Sequence, residues 1–177
     1  MTKIAVLVGS LRAGSINKRL AQELEKRLPE GVTFEYGDLN LPLYNQDLEA
    51  EYPKEAKALK DLVEGADGVL FVTPEHNRSF PAALKNGIDW ASRPWGTNSF
   101  NGKPAAIVGA SASLATTQAQ QQLRNIVVYL NAHLLGQPEM YIDVQRVHDE
   151  EGKLSTEAAD LYDKFLATFV AHINKLK

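Results

Sequence analysis

The chain has 177 residues, no Cys, 44% hydrophobic and 23% charged content, and a formal net charge of −3. That length can bury a core unaided and predicts a single domain over residues 1–177, while the lack of Cys excludes a disulfide framework, thiolate-bound zinc and iron–sulfur clusters. The mild charge argues for neither nucleic acid nor anionic lipid as a partner, no apolar run approaches a bilayer span, and the apolar run after Lys3 is too short for a secretory signal, so a cytoplasmic protein is expected.

Ile4-Ala5-Val6-Leu7-Val8 reads as a first strand that stops at the loop Gly9-Ser10-Leu11-Arg12-Ala13-Gly14-Ser15. A helix follows, with Ile16, Leu20, Leu24 and Leu28 on one face and Pro29-Glu30-Gly31 ending it. A strand, a turn rich in glycine and hydroxyls, and a helix start together make an anion site, because free N–H groups and the positive end of the helix dipole converge there. Arg12 and the Ser hydroxyls add donors suited to a phosphate. The loop lacks the three-glycine pattern of a dinucleotide fingerprint, since Leu11 stands where the second Gly is required. Ser15-Ile16 replaces the Lys and hydroxyl of a nucleoside triphosphate loop, and a phosphatase loop needs a Cys. What remains is a cradle for a terminal monophosphate ester, or a simple Gly/Ser connection between strand and helix.

Val32-Thr33-Phe34-Glu35-Tyr36 alternates like an edge strand, and residues 37–52 form a polar loop with Pro42. A second helix starts near Pro53 and carries Ala56, Leu59, Leu62, Val63 and Ala66; Val69-Leu70-Phe71-Val72 is a fully buried strand. The next loop is Thr73-Pro74-Glu75-His76-Asn77-Arg78-Ser79-Phe80, whose prolines stiffen a backbone that can face a planar ligand. Pro81 opens a third helix through Leu84 and Ile88 to Trp90, followed by a loop at 91–102. Ala105-Ala106-Ile107-Val108 is a fourth strand, broken at Gly109, and the small, hydroxyl-rich segment 110–118 enters a fourth helix with Leu123, Ile126, Val127 and Leu130 aligned. Met140-Tyr141-Ile142 is a short fifth strand; Ser155 or Thr156 caps a last helix whose stripe is Leu161, Phe165, Phe169, Ile173 and Leu176.

Strict alternation of strands and helices predicts an α/β three-layer sandwich of the flavodoxin-like kind, with a five-stranded parallel sheet of order 2-1-3-4-5. Such sheets bind ligands beyond the carboxyl ends of their strands at the switch point, which selects the loops at 9–17, 73–80 and 109–118. A monophosphate at one helix start and a polarised ring at another describes a flavin mononucleotide better than a sugar phosphate. On this reading the N–H groups of 111–118, with Ser111 or Ser113, are the donors for the ring.

Val8-Gly9-Ser10-Leu11-Arg12 with Ser15 and Asn17, then Thr73-Pro74-Glu75-His76-Asn77, then Leu84-Lys85-Asn86-Gly87-Ile88-Asp89-Trp90 followed by Ser92-Arg93-Pro94, resemble the NADPH-dependent FMN reductase family in order and spacing along nearly the whole chain. The resemblance implies FMN with its phosphate at Ser10, Arg12, Ser15 and Asn17, Ile16 in the same segment, and the ring edge along Pro74, Glu75, His76 and Asn77. It further implies NADPH or NADH as electron source, a quinone, azo compound, free flavin or similar acceptor, and a homodimer or homotetramer. Flavin N5 then carries the hydride, and no side chain is required as acid or base. Two departures mark this chain: His76 stands where the family has Tyr (and Arg78 where a second Tyr is common), and Ala115-Thr116-Thr117-Gln118 replaces a Gly pair and an Arg.

Plainer roles compete at several positions. His76 can pack beside the ring without moving a proton, and Glu75 reads as a loop-fixing or interface carboxylate. Asn86, Asp89 and Trp90 read as a helix end and an interface anchor. Trp90, Trp95 and Phe100 cluster around a polar loop that one domain would struggle to cover, which points to a dimer. Asp38, Asp47 and Glu49 have no metal-ligand spacing, so no metal is expected. Two rival functions share the fold: a flavodoxin-type electron carrier, disfavoured by the mild charge, and a flavin-free interaction module, disfavoured by the intact first loop.

Overall fold

The computed structural model describes residues 1–112, 115–147 and 153–177. Strands β1 (Thr2–Val8), β2 (Val32–Tyr36), β3 (Gly68–Val72), β4 (Pro104–Ser111), β5 (His133–Leu134) and β6 (Met140–Asp143) form one sheet. Its order is β2-β1-β3-β4-β5, with β6 also paired to β4, and every pairing is parallel. Helices α1 (Ile16–Glu25), α2 (Lys54–Gly65), α3 (Ala82–Ala91), α4 (Thr117–Tyr129) and α5 (Thr156–Leu176) cover its faces. Alternation along the strands divides the core in two. Ile4, Val6, Val8, Leu70 and Val72 pack against α1 and α5, whereas Ala5, Leu7, Val69 and Phe71 pack against α2, α3 and α4. Strands buried on both faces read as continuous apolar runs, and for this reason β1 and β3 stand out in the sequence.

The expected flavodoxin-like order holds, with one addition. The outer edge of β4 is shared: β5 pairs with Pro104 and Ala105, and β6 pairs with Val108 through Ser111. Gly136 and Pro138 separate the two short strands, and Pro138 has no N–H to continue a ladder. Two residues are too few to show a period.

Several local expectations need correction. β4 does not break at Gly109 but runs through it to Ser111, because β6 continues the ladder there with Gly109 opposite Tyr141. The glycine serves a close approach: a Cβ at position 109 would lie 2.3 Å from Thr73 O and 2.4 Å from Thr116 Oγ1. α1 ends at Glu25 rather than near Leu28, since Arg27 N and Leu28 N bond Leu24 O and Glu25 O in tighter turns ahead of Pro29. The inward face of α5 is Ala158, Tyr162, Phe165, Leu166, Phe169 and Ile173; Leu161 and Leu176 are exposed.

The aromatic cluster also folds inward. Trp90 and Phe100 are fully buried within this chain, and only Trp95 of the three is exposed. Trp90 Nε1 donates to Pro42 O at 2.8 Å, and Tyr44 and Tyr52 each pack edge-on to its ring. Asn86 accepts from Tyr44 N at 2.7 Å and donates to Pro42 O at 2.9 Å. Asn86 and Trp90 therefore pin the 37–52 loop over α3 and are not interface anchors. Phe100 lies against Phe71, its centroid 5.8 Å away.

Gly109→Ala should destabilise the chain by about 1–3 kcal/mol, because the new methyl meets a backbone carbonyl that cannot swing aside. A lower urea midpoint with unchanged slope would show this; an unchanged midpoint would mean that the approach of Thr73 and Thr116 is not tight.

Candidate functional site

β1, β3 and β4 end side by side, so the loops that follow them meet. They enclose a cleft of about 530 Å³, within the range of small-molecule and cofactor sites. Ser10, Arg12, Ser15, Ile16 and Asn17 line it from the first loop, Pro74, Glu75 and His76 from the second, and Ser111 from the third. Of the residues singled out in the sequence, Asn77 is not among those lining the cleft, and Ser113 lies outside the described residues.

The first loop is built to receive an anion. Ser15 caps α1: its hydroxyl oxygen accepts from Asn17 N at 3.2 Å and Lys18 N at 3.3 Å. Among the described residues, no acceptor takes the N–H groups of Ser10 through Gly14, and Arg12 has no ion-pair partner. A Cβ on Gly9 would sit 2.8 Å from Pro81 Cγ, so glycine lets the loop lie against the start of α3. Unengaged N–H groups, a helix start and an unpaired guanidinium fit a phosphate.

Asn17 plays a different part from the one expected. Its Nδ2 donates to Ala110 O and its Oδ1 accepts from Ala110 N, both at 2.9 Å, and the residue is 1% exposed. The carboxamide imitates a strand neighbour for β4 and ties the first loop to the third. Its side chain is tied to β4, so it shapes the cradle that it lines.

The second loop is a short hairpin. His76 N and Ser79 N each donate to the other residue's carbonyl, at 2.8 and 2.9 Å, around Asn77 and Arg78 with φ of 50° and 67°. Two residues at positive φ make the tight turn that Asn tolerates well. α4 holds this hairpin from below: Ser79 Oγ donates to Gln122 Oε1 at 2.7 Å, and Gln122 Nε2 donates to Arg78 O at 2.8 Å. Glu75 Oε2 accepts from Gln118 N at 3.0 Å and Ala119 N at 3.2 Å. Glu75 is thus a loop-fixing carboxylate, as one of its two plainer readings had it.

That contact corrects the donor set expected from the third loop. The first-turn N–H groups of Gln118 and Ala119 already bind a carboxylate. Ser111 Oγ accepts from Thr116 N at 3.2 Å and donates to Ala112 O at 3.0 Å, so its hydroxyl is engaged within the loop. The terminus that sequence reasoning missed is that of α3. Pro81 provides no side-chain cap, and no acceptor among the described residues takes the N–H groups of Ala82 and Ala83, which also line the cleft. Pro81 at the helix start was the available signal, since proline there leaves the next N–H groups without a side-chain cap.

At the opposite end of the sheet, burial lowers the Lys103 ammonium although Asp67 and Glu64 favour its charge; it donates to Glu64 O at 2.7 Å and Ala66 O at 2.5 Å. Among the described residues, no group of three or more His, Asp or Glu could hold a metal ion, and no helix is long and apolar enough to cross a membrane.

A family model for NADPH-dependent FMN reductases matches residues 2–146. The chain is 47% identical over 172 residues to a 2-hydroxy-1,4-benzoquinone reductase from a Burkholderia species, covering 95% of this chain and 92% of the relative. It is 39% identical over 180 residues to an NAD(P)H-dependent FMN reductase of Pseudomonas aeruginosa, covering 99% and 97%. Among solved structures, FerB, a flavoenzyme NAD(P)H:(acceptor) oxidoreductase from Paracoccus denitrificans, superimposes with a TM-score of 0.93 at 38% identity, covering 99% of this chain and 98% of that one.

The different roles of two cleft residues can be separated by stability alone. Asn17→Ala leaves the N–H and C=O of Ala110 buried without partners and should cost the ligand-free chain about 2–4 kcal/mol. Arg12→Ala, at an exposed position, should stay within about 0.5 kcal/mol of the parent. Equal urea midpoints for the two variants would contradict the assignment of Asn17 to the scaffold.

Proposed function

The chain belongs to the NADPH-dependent FMN reductase family, and from that premise we propose that it passes electrons from NAD(P)H through bound FMN to a quinone, azo compound, free flavin or similar acceptor in a ping-pong cycle. It is an oxidoreductase whose cofactor is FMN. The observation that carries the detailed reading is the cleft at the switch point, where unengaged N–H groups and an unpaired guanidinium gather at the start of α1. Bound FMN supplies a two-electron carrier, and the protein's task is to hold and polarise it.

In this reading the phosphate rests at Ser10, Arg12, Ser15 and Ile16, with Asn17 behind them fixing the loop. Ser15 caps α1 through its oxygen and keeps its O–H for the ligand. Pro74, Glu75 and His76 border the ring, with Asn77 in the turn beyond them, the hairpin fixed on α4 and the backbone of Pro74–His76 held in place at no further ordering cost. Ala82 and Ala83 N–H groups open on the same cleft and favour negative charge on an electron-rich ring, alongside Ser111 of the third loop. No titratable side chain is needed for hydride transfer. A quinone is the preferred acceptor, because the Burkholderia relative is named for one.

The whole of residues 1–177 would act as one FMN-binding domain in the cytoplasm, where reduced nicotinamide nucleotides are supplied. Assembly as a homodimer or homotetramer keeps only Trp95 of the three aromatics first suspected, since Trp90 and Phe100 are buried within the chain. Trp95 at 78% and Tyr129 at 74% exposure border one groove, and uncovered aromatics of this size favour a protein partner.

Arg12→Ala should weaken FMN about tenfold to a hundredfold, the value of a charge-assisted contact. Riboflavin, which lacks the phosphate, should bind poorly to the parent and distinguish little between parent and variant. Titration of apoprotein by flavin fluorescence decides this, and an unchanged FMN dissociation constant would remove Arg12 from the site.

Because nicotinamide and acceptor use one ring face in turn, double-reciprocal plots should be parallel as acceptor is varied, and His76→Ala should reduce flavin within about tenfold of the parent rate. That lies below the 10²–10⁴ expected for a lost acid–base catalyst. Intersecting lines would overturn the ping-pong cycle. A thousandfold slower bleaching in stopped flow, with FMN fully bound, would mean that His76 moves a proton.

A further inference from the structure

Helices α1 and α3 start at the cleft and α4 starts behind Glu75 in its wall, and the three end their dipoles differently. α1 is capped by the neutral hydroxyl of Ser15, and α3 has no side-chain cap. α4 has none from its N-cap residue, Thr116, but receives a full negative charge from Glu75, 43 residues before Gln118. The Glu75 side chain is 10% exposed and lines the cleft between Pro74 and His76. The cation nearest to it, Arg78 at 3.5 Å, is 66% exposed and screened by water.

We propose that Glu75 is a positioning residue that also tunes the flavin: its carboxylate fills the N-terminus of α4 and sets a fixed negative charge in the wall of the ring site. This rests on the FMN reading above. A helix start carries about half a positive charge, so a carboxylate there more than cancels it. An anion then finds attraction at α1 and repulsion at α4, which fixes the direction in which a ligand with one charged end can enter. The same charge opposes the negative charge gained when the ring is reduced. It therefore favours the oxidised form and makes the reduced cofactor a stronger electron donor. The contact is also the latch that holds the hairpin on α4, so geometry and charge must be tested apart.

Glu75→Gln keeps the length and an oxygen for Gln118 N and Ala119 N but removes the charge. Glu75→Asp keeps the charge and withdraws the oxygen from the helix. In the flavin-loaded protein, Glu75→Gln should leave the dissociation constant of oxidised FMN within about threefold. It should tighten binding of the reduced form about tenfold relative to the oxidised, a rise of about 30 mV in the two-electron midpoint potential. Glu75→Asp should speed amide exchange at 117–119 while its potential stays with the parent's. A Glu75→Gln potential equal to that of the parent, with both proteins flavin-bound, would overturn the charge role and leave only a structural cap. If Glu75→Gln does not fold, a Glu75→Asp potential as high as that of Glu75→Ala would overturn it equally. A parent protein that takes up no FMN would defeat the functional reading first, and this inference with it.

Discussion

The site depends on one buried carboxamide. Asn17 stands at the start of α1, yet both ends of its side chain pair with the N–H and C=O of Ala110 at the end of β4. The reversal of strand order around β1 opens a crevice in any sheet of this topology. What makes this crevice a shaped cleft is that its first and third loops are tied across the end of β3. Once Asn17 is fixed, Ser15 is placed to cap α1, and the N–H groups of the first loop are left to face a ligand. A polar side chain that is fully hydrogen-bonded in a buried place specifies geometry more sharply than an apolar one of equal size.

The second organising feature is the unequal treatment of helix ends. Two helix starts line the cleft and a third stands behind Glu75 in its wall, and each would attract an anion if left alone. The chain leaves α1 open to a phosphate, leaves α3 open as neutral donors, and closes α4 with Glu75. A ligand that carries a charge at one end and an electron-rich ring at the other therefore meets an asymmetric site. The latch of the hairpin on α4, through Glu75, Ser79 and Gln122, makes the same asymmetry rigid.

Much of the frame was legible in the sequence because it is local or periodic. Ile4–Val8 and Val69–Val72 announce buried strands, and the first loop announces its own chemistry through glycine, hydroxyls and Arg12. The errors share a cause as well. Gly109 reads as punctuation, yet the ladder with β6 carries the strand through it. Trp90 and Phe100 read as surface anchors, yet a loop more than forty residues earlier folds over Trp90, with Pro42 O accepting from Trp90 Nε1 and Tyr44 N donating to Asn86 Oδ1. Glu75 and Asn17 act on backbone groups far along the chain. Contacts between a side chain and a distant backbone group leave no period and no motif, so sequence marks the residue without revealing its partner. The α5 stripe is a smaller case: Leu161 and Leu176 fit the spacing, but the helix turns Tyr162 and Leu166 inward in their place.

FMN held in this cleft, moving electrons from a nicotinamide nucleotide to an external acceptor, has a visible signature. The direct measurement is the visible spectrum of the reconstituted parent protein under anaerobic conditions, followed through its two half-reactions. Flavin absorbance should survive removal of free FMN, bleach on addition of NADPH alone, and return on addition of a quinone after the nicotinamide is removed. A protein that retains no flavin, or whose bound flavin stays coloured with NADPH and NADH alike, would contradict this role for the cleft.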